Sequence, residues 1–176
     1  MSEQQPPVGI DRKRHQELAG RRYHAWLRRA ALLVVAVIPI VGLLNVFGQR
    51  AAITSAESPN ASLTVDSPAR VRGGLVFTTK IAINAHQQLQ DARLYLAYGW
   101  FKGMTYNAIA PQPTSQESAG NWVVFDFGKI DAQHSFPIWI SWQTNPTNVG
   151  RHSQDVQLYD GNTPLLILRR TITVFP

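Results

Sequence analysis

The sequence predicts an all-β fold, an antiparallel sandwich of seven or eight short strands, preceded by one transmembrane α-helix. Three observations predict it. Residues 30–49, AALLVVAVIPIVGLLNVFGQ, form a run of twenty residues without a charge. From Ala61 onward the pattern becomes short segments in which apolar and polar positions alternate. Breakers punctuate those segments at Ser67-Pro68, Gly73-Gly74, Pro111 with Pro113, Gly120, Gly128, Asn145-Pro146, Gly150, Gly161 and Pro164, and no helical periodicity falls among them.

The uncharged run has the length of a membrane span. At about 1.5 Å rise per residue, a helix of that length crosses a hydrocarbon core of about 30 Å with little tilt. Charge supplies an orientation. Residues 1–29 carry seven basic and three acidic side chains, whereas Arg50 is the single charge just beyond the run. The positive-inside rule then places the N-terminal tail in the cytoplasm and residues 50–176 outside, with Arg21, Arg22, Arg28 and Arg29 as the topology determinants. Tyr23 and Trp26 sit where an inner aromatic belt belongs.

The competing reading is a cleaved secretion signal, for which Ala51, Ala52, Ser55 and Ala56 supply small residues. A signal has an apolar region of about 7–15 residues and a shorter preceding segment, so the longer run here favours an uncleaved anchor in the cell membrane. Within the tail, MSEQQPPVGI reads as a flexible end, and Asp11 is a candidate N-cap for a helix running into the membrane.

Features inside the span point to a protein neighbour as well as the lipid bilayer. Pro39 cannot donate to the carbonyl one turn earlier, which shapes the helix locally. Ala36 and Gly42 offer a smooth patch for close backbone approach, and Asn45 offers a hydrogen bond across to another helix. Ala36, Pro39, Gly42 and Asn45 therefore form the expected membrane contact, with an integral membrane protein subunit as the expected partner.

Residues 50–60 read as a connector and 61–176 as the extracytoplasmic sandwich. The candidate strands are 61–66, 75–84, 92–98, 104–109, 121–127, 136–142, 152–159 and 165–175. Alternation assigns their faces. Leu75, Phe77, Thr79, Ile81 and Ile83 face inward, as do Val123, Phe125 and Phe127, and Phe136, Ile138, Ile140 and Trp142. Trp122, Val124 and Asp126 face outward, and Trp139 lies on the face opposite Trp142. Trp122 and Trp139 are the expected outer-domain contact residues, with Trp100-Phe101 as a further candidate.

Between residues 61 and 142 the order of strands and turns resembles the immunoglobulin-like repeat domains of bacterial surface and envelope proteins. Gly74 before a long strand ending in Asn84, and Phe125, Phe127, Gly128 and Ile130 around a late turn, carry the resemblance. It implies an immunoglobulin-like sandwich and no catalytic residue. The segment 143–176 adds a loop and up to two strands beyond that pattern.

Little in the chain supports chemistry. The absence of cysteine excludes disulfides, thiolate nucleophiles and Cys-ligated metals. His86, His134 and His152 lack metal-ligand spacing, the serines lack a nucleophile-elbow context, and Asp126 and Asp131 are explained by a strand and a turn. Gly73-Gly74 lacks the lysine and helix of a phosphate loop. No enzyme activity, cofactor, metal or small-molecule substrate is expected. Although the net charge is +6, residues 51–176 hold nine basic against eight acidic side chains, which argues against a nucleic-acid-binding body. The expectation is a non-catalytic accessory subunit of a multispanning membrane protein. The alternative is a stand-alone adhesion or envelope-polymer-binding module, for which the polar loop 145–155 is an accessible candidate.

Overall fold

The computed structural model describes residues 22–44 and 49–176. Arg21, Asn45 and the side chain of Arg22, named above, lie outside that description. The chain divides into two units between Val46 and Phe47.

In the first unit, helix α1 spans Arg22–Leu43. Its stretch Ala25–Leu43 is long and apolar enough to cross a membrane. The helix thus begins well before the uncharged run, because Arg28 and Arg29 are good helix formers and only their charge excludes them from the apolar count. Pro39 lies inside the helix, which continues past it, and Leu44 N–H donates to Ile40 O at 2.9 Å. Every side chain from Ala31 to Ile40 is exposed. A helix apolar on all sides has no polar face to offer water.

The second unit contains thirteen strands among the described residues. In chain order they are β1 (Ala51–Glu57), β2 (Ala61–Pro68), β3 (Arg70–Arg72), β4 (Val76–Ala85), β5 (Leu89–Ala97), β6 (Met104–Ala110) and β7 (Ser115–Ala119). There follow β8 (Trp122–Ile130), β9 (His134–Thr144), β10 (Gly150–Ser153), β11 (Val156–Asp160), β12 (Thr163–Leu168) and β13 (Thr171–Phe175). Two five-stranded antiparallel sheets, ordered β1-β2-β4-β9-β6 and β12-β11-β5-β8-β7, share one core. Leu63, Ile81 and Ile138 enter it from the first sheet, and Leu94, Phe125 and Leu158 from the second. This is the all-β sandwich expected. A third sheet, β10-β13-β3, closes one end and includes one parallel pair, β13 with β3.

The strand count exceeds the expected seven or eight for local reasons. Residues 51–57, read as connector, form β1, paired with β2 from Ala51 opposite Pro68 to Glu57 opposite Ser62. As an edge strand it buries only one side partially, so its sequence AAITSAE has weak alternation. Strand β7, SQESA, is exposed throughout and carries no apolar signal. The expected strands 152–159 and 165–175 each break in two. At the breaks Gln154 N–H donates to Arg170 O at 2.9 Å and Arg170 N–H donates to the Asp155 carboxylate at 3.0 Å, which turns β10 and β13 away into the third sheet.

Candidate functional site

The two large sheets run between opposite ends of the sandwich, and the loops at those ends differ in chemistry. The chain enters at the proximal end, where Gln49 and Arg50 precede β1. There Gln49 Nε2 donates to Val76 O at 3.5 Å, at the start of β4. The start of β4 lies opposite the end of β9, Val76 with Gln143, and the end of β9 lies opposite the start of β6, Thr144 with Met104. Loops 72–76, 98–104 and 144–150 therefore gather at this end. The distal end holds the turns at Ser58–Asn60, His86–Gln88 and Asp131–Gln133, joined by His86 N–H to Asn60 O at 2.8 Å and Gln133 N–H to Ala85 O at 2.7 Å.

Glycine permits the proximal loops to pack. A Cβ on Gly99 would lie 1.9 Å from the Ser153 carbonyl oxygen, and one on Gly73 would lie 2.9 Å from the Pro146 oxygen. The loop expected to be accessible, beginning at Asn145, exposes Asn145, Pro146, Thr147 and Val149 and is fastened at its base. Asn145 N–H donates to Gly103 O at 3.0 Å, and Asn148 Nδ2 donates to Lys102 O at 3.2 Å. Val149 at its crest is 54% exposed.

Beneath these loops lies an aromatic floor. Trp100 and Trp142 are fully buried and stack at 5.3 Å, with Phe101 edge-on to Trp142 at the same separation. This corrects the expectation that Trp100 belongs to a contact surface, since the 3₁₀ turn Tyr98–Trp100 folds it inward. Arg170 rests over the Trp100 ring at 5.4 Å and donates from Nη2 to Ser67 O at 2.9 Å. Desolvation lowers its pKa to about 10, against a weaker opposing pull from Asp66. The arginine is a core group; no signal in the sequence separates it from its exposed neighbour Arg169.

The outward tryptophans separate. Trp139 projects from β9 opposite Lys80 of β4, is 44% exposed, and carries the Lys80 ammonium 5.9 Å from its ring centroid. Lys80 also borders a shallow groove of about 320 Å³ whose lining includes Asp66, Pro68, Phe77 and Thr78 but not Trp139. Trp122, by contrast, is half-buried and packs against the core. Its neighbour Val124, also expected to face outward, is 2% exposed on the outer face between its partners Tyr95 and Glu117. Within the helix Ala36, Pro39 and Gly42 are exposed, and a Cβ on Gly42 would meet nothing within 4 Å.

Among the described residues no group of three His, Cys, Asp or Glu side chains is placed to hold a metal. His152 is the histidine with an altered environment: burial lowers its pKa, Lys102 adds to the effect, and its Nε2 is buried without a hydrogen-bond partner.

No family model and no curated protein matches the chain. Among solved structures, the solution structure of CaCohA2 from Clostridium acetobutylicum is similar over 61% of this chain and 86% of its own, at 9% identity and TM-score 0.43. The PapD-like domain 7 of human CEP192 is similar over 68% of this chain and 88% of its own, at 10% identity and TM-score 0.33. An exo β-N-acetylglucosaminidase from Vibrio harveyi is similar at 12% identity and TM-score 0.34 over 72% of this chain, which spans only 18% of that protein.

Proposed function

We propose that the chain is a non-catalytic, single-pass membrane subunit that binds a multispanning membrane protein, with its tail in the cytoplasm and its sandwich outside. The observation that carries this reading is a helix apolar on every side, followed by a β-domain with its own complete core. A helix of this length and composition suits lipid and other helices. Small exposed positions at Ala36 and Gly42, flanking Pro39, suit close helix approach. Purification in mild detergent is the test. A stoichiometric integral membrane partner supports the reading, whereas a monodisperse single species refutes it.

Trp139 favours a second reading, a stand-alone module binding an envelope polymer. A half-exposed indole, with a groove of mixed polar and apolar lining reached through its neighbour Lys80, can stack on a sugar ring or a peptide. Sedimentation of the chain with isolated envelope material, lost on Trp139→Ala, would support it.

A further inference from the structure

The sandwich as a whole is nearly neutral, yet its charges are sorted between its two ends. Strand β3 supplies Arg70 and Arg72, and β10 supplies Arg151; Arg70 and Arg151 both lie opposite Thr173 of β13. All three arginines are exposed, as are Lys102 and Arg50 at the same end. The third sheet contains no acidic residue. Three carboxylates lie nearest to this end: Asp66, half-buried opposite Lys80, Asp155, which accepts the Arg170 N–H, and the exposed Glu117, two residues before the end of edge strand β7. Glu57, Asp91, Asp131 and Asp160 lie at the distal end, where Asp160 accepts the N–H groups of Gln90 and Asp91. The same proximal loops expose apolar side chains, with Leu75 at 45%, Val76 at 53%, Val149 at 54% and Tyr98 at 54%.

The connection before this end is short: the membrane-length stretch ends at Leu43 and β1 begins at Ala51. The seven residues between them reach at most about 25 Å even when extended. If the run spans the bilayer, the end at which the chain enters the sandwich, the basic one, is tethered within that reach of the lipid surface.

We infer that the proximal end is a lipid-docking face, on which Arg70, Arg72 and Arg151 engage anionic headgroups while Leu75 and Val149 enter the interfacial layer. This rests on the membrane-anchor reading above and adds a second, electrostatic contact to it. Docking fixes the tilt of the sandwich on the membrane and so decides which of its faces a partner meets. Each arginine near an anionic surface strengthens the attraction by about fivefold, and salt screens it.

The absence of cysteine makes the test direct, because a single introduced cysteine can carry a fluorophore on the full chain. Val149→Cys marks the proximal end and Gln88→Cys the distal end. Each labelled chain is reconstituted in phosphatidylcholine vesicles, with and without phosphatidylglycerol, containing headgroup-linked quencher lipids. The proximal probe is expected to be quenched far more than the distal one, more with phosphatidylglycerol, and less after Arg70→Gln, Arg72→Gln and Arg151→Gln are combined or salt is raised. Equal quenching of the two probes, or indifference to both anionic lipid and the arginines, overturns the inference. A proximal probe unquenched in vesicles but shielded from aqueous reagents in native membranes assigns the face to a protein and also overturns it. A chain that does not float with vesicles refutes the anchor itself, and the docking face with it.

Discussion

The indole rings of Trp100 and Trp142 stack with centroids 5.3 Å apart and planes 27° apart, joining the 3₁₀ turn after β5 to the end of β9. Both rings are fully buried, and Arg170, in the break between β12 and β13, lies over the Trp100 ring. The proximal loops are therefore built on a rigid floor.

Truncation of that floor separates structural from surface tryptophans. Trp142→Ala should destabilise the sandwich by about 3–5 kcal/mol, since it removes a large buried ring and leaves a cavity. Trp139→Ala should change stability by less than about 1 kcal/mol, because the ring is half-exposed and the Lys80 ammonium lies over it at 5.9 Å. Denaturant midpoints followed by circular dichroism read both. A loss of similar size at the two positions would show that Trp139 is part of the core.

Gly99 should tolerate no side chain. A methyl group there would meet the Ser153 carbonyl oxygen at 1.9 Å, and a backbone oxygen in a paired strand cannot swing aside as a side chain can. Gly99→Ala is expected to cost about 3 kcal/mol or more, while Gly120→Ala, with nothing within 4 Å, carries only the strain of its φ of +62°. The midpoints of the two variants, compared under one condition, decide the point; equal losses contradict the close packing of the 3₁₀ turn on β10.

Stability should fall on mild acidification through His152. Burial and Lys102 hold its pKa below the ordinary 6.5, so between the lowered folded value and 6.5 the unfolded chain binds more protons than the folded one. Stability is then greatest above that window, declines as the pH drops through it, and levels off below it. His152→Gln should flatten this part of the pH profile of the denaturant midpoint. An unchanged slope assigns the acid sensitivity to other groups.

Sequence made the sandwich legible where one face of a strand is buried and the other wet. The inward set Phe77, Thr79, Ile81 and Ile83 is buried as its alternation predicts, and Ile138, Ile140 and Trp142 follow the same rule. Leu75 fails it because β4 begins one residue later and the loop turns that side chain outward. Val124 fails it because large neighbours cover the outer face as well. The site was less legible for a physical reason: Arg70, Arg72 and Arg151 are brought together by β13, a partner distant from both in sequence, so a charge count along the chain averages them against acids at the far end.

The central claim, an uncleaved anchor with the sandwich outside, is tested most directly by cysteine accessibility in intact cells. Single cysteines at Ser2 and Lys129 are treated with a membrane-impermeant maleimide before and after permeabilisation. The account predicts that Lys129→Cys reacts in intact cells and stays with the membrane fraction, while Ser2→Cys reacts only once the membrane is opened. The reverse pattern, or a labelled sandwich released into the soluble fraction by cleavage after the helix, would contradict it.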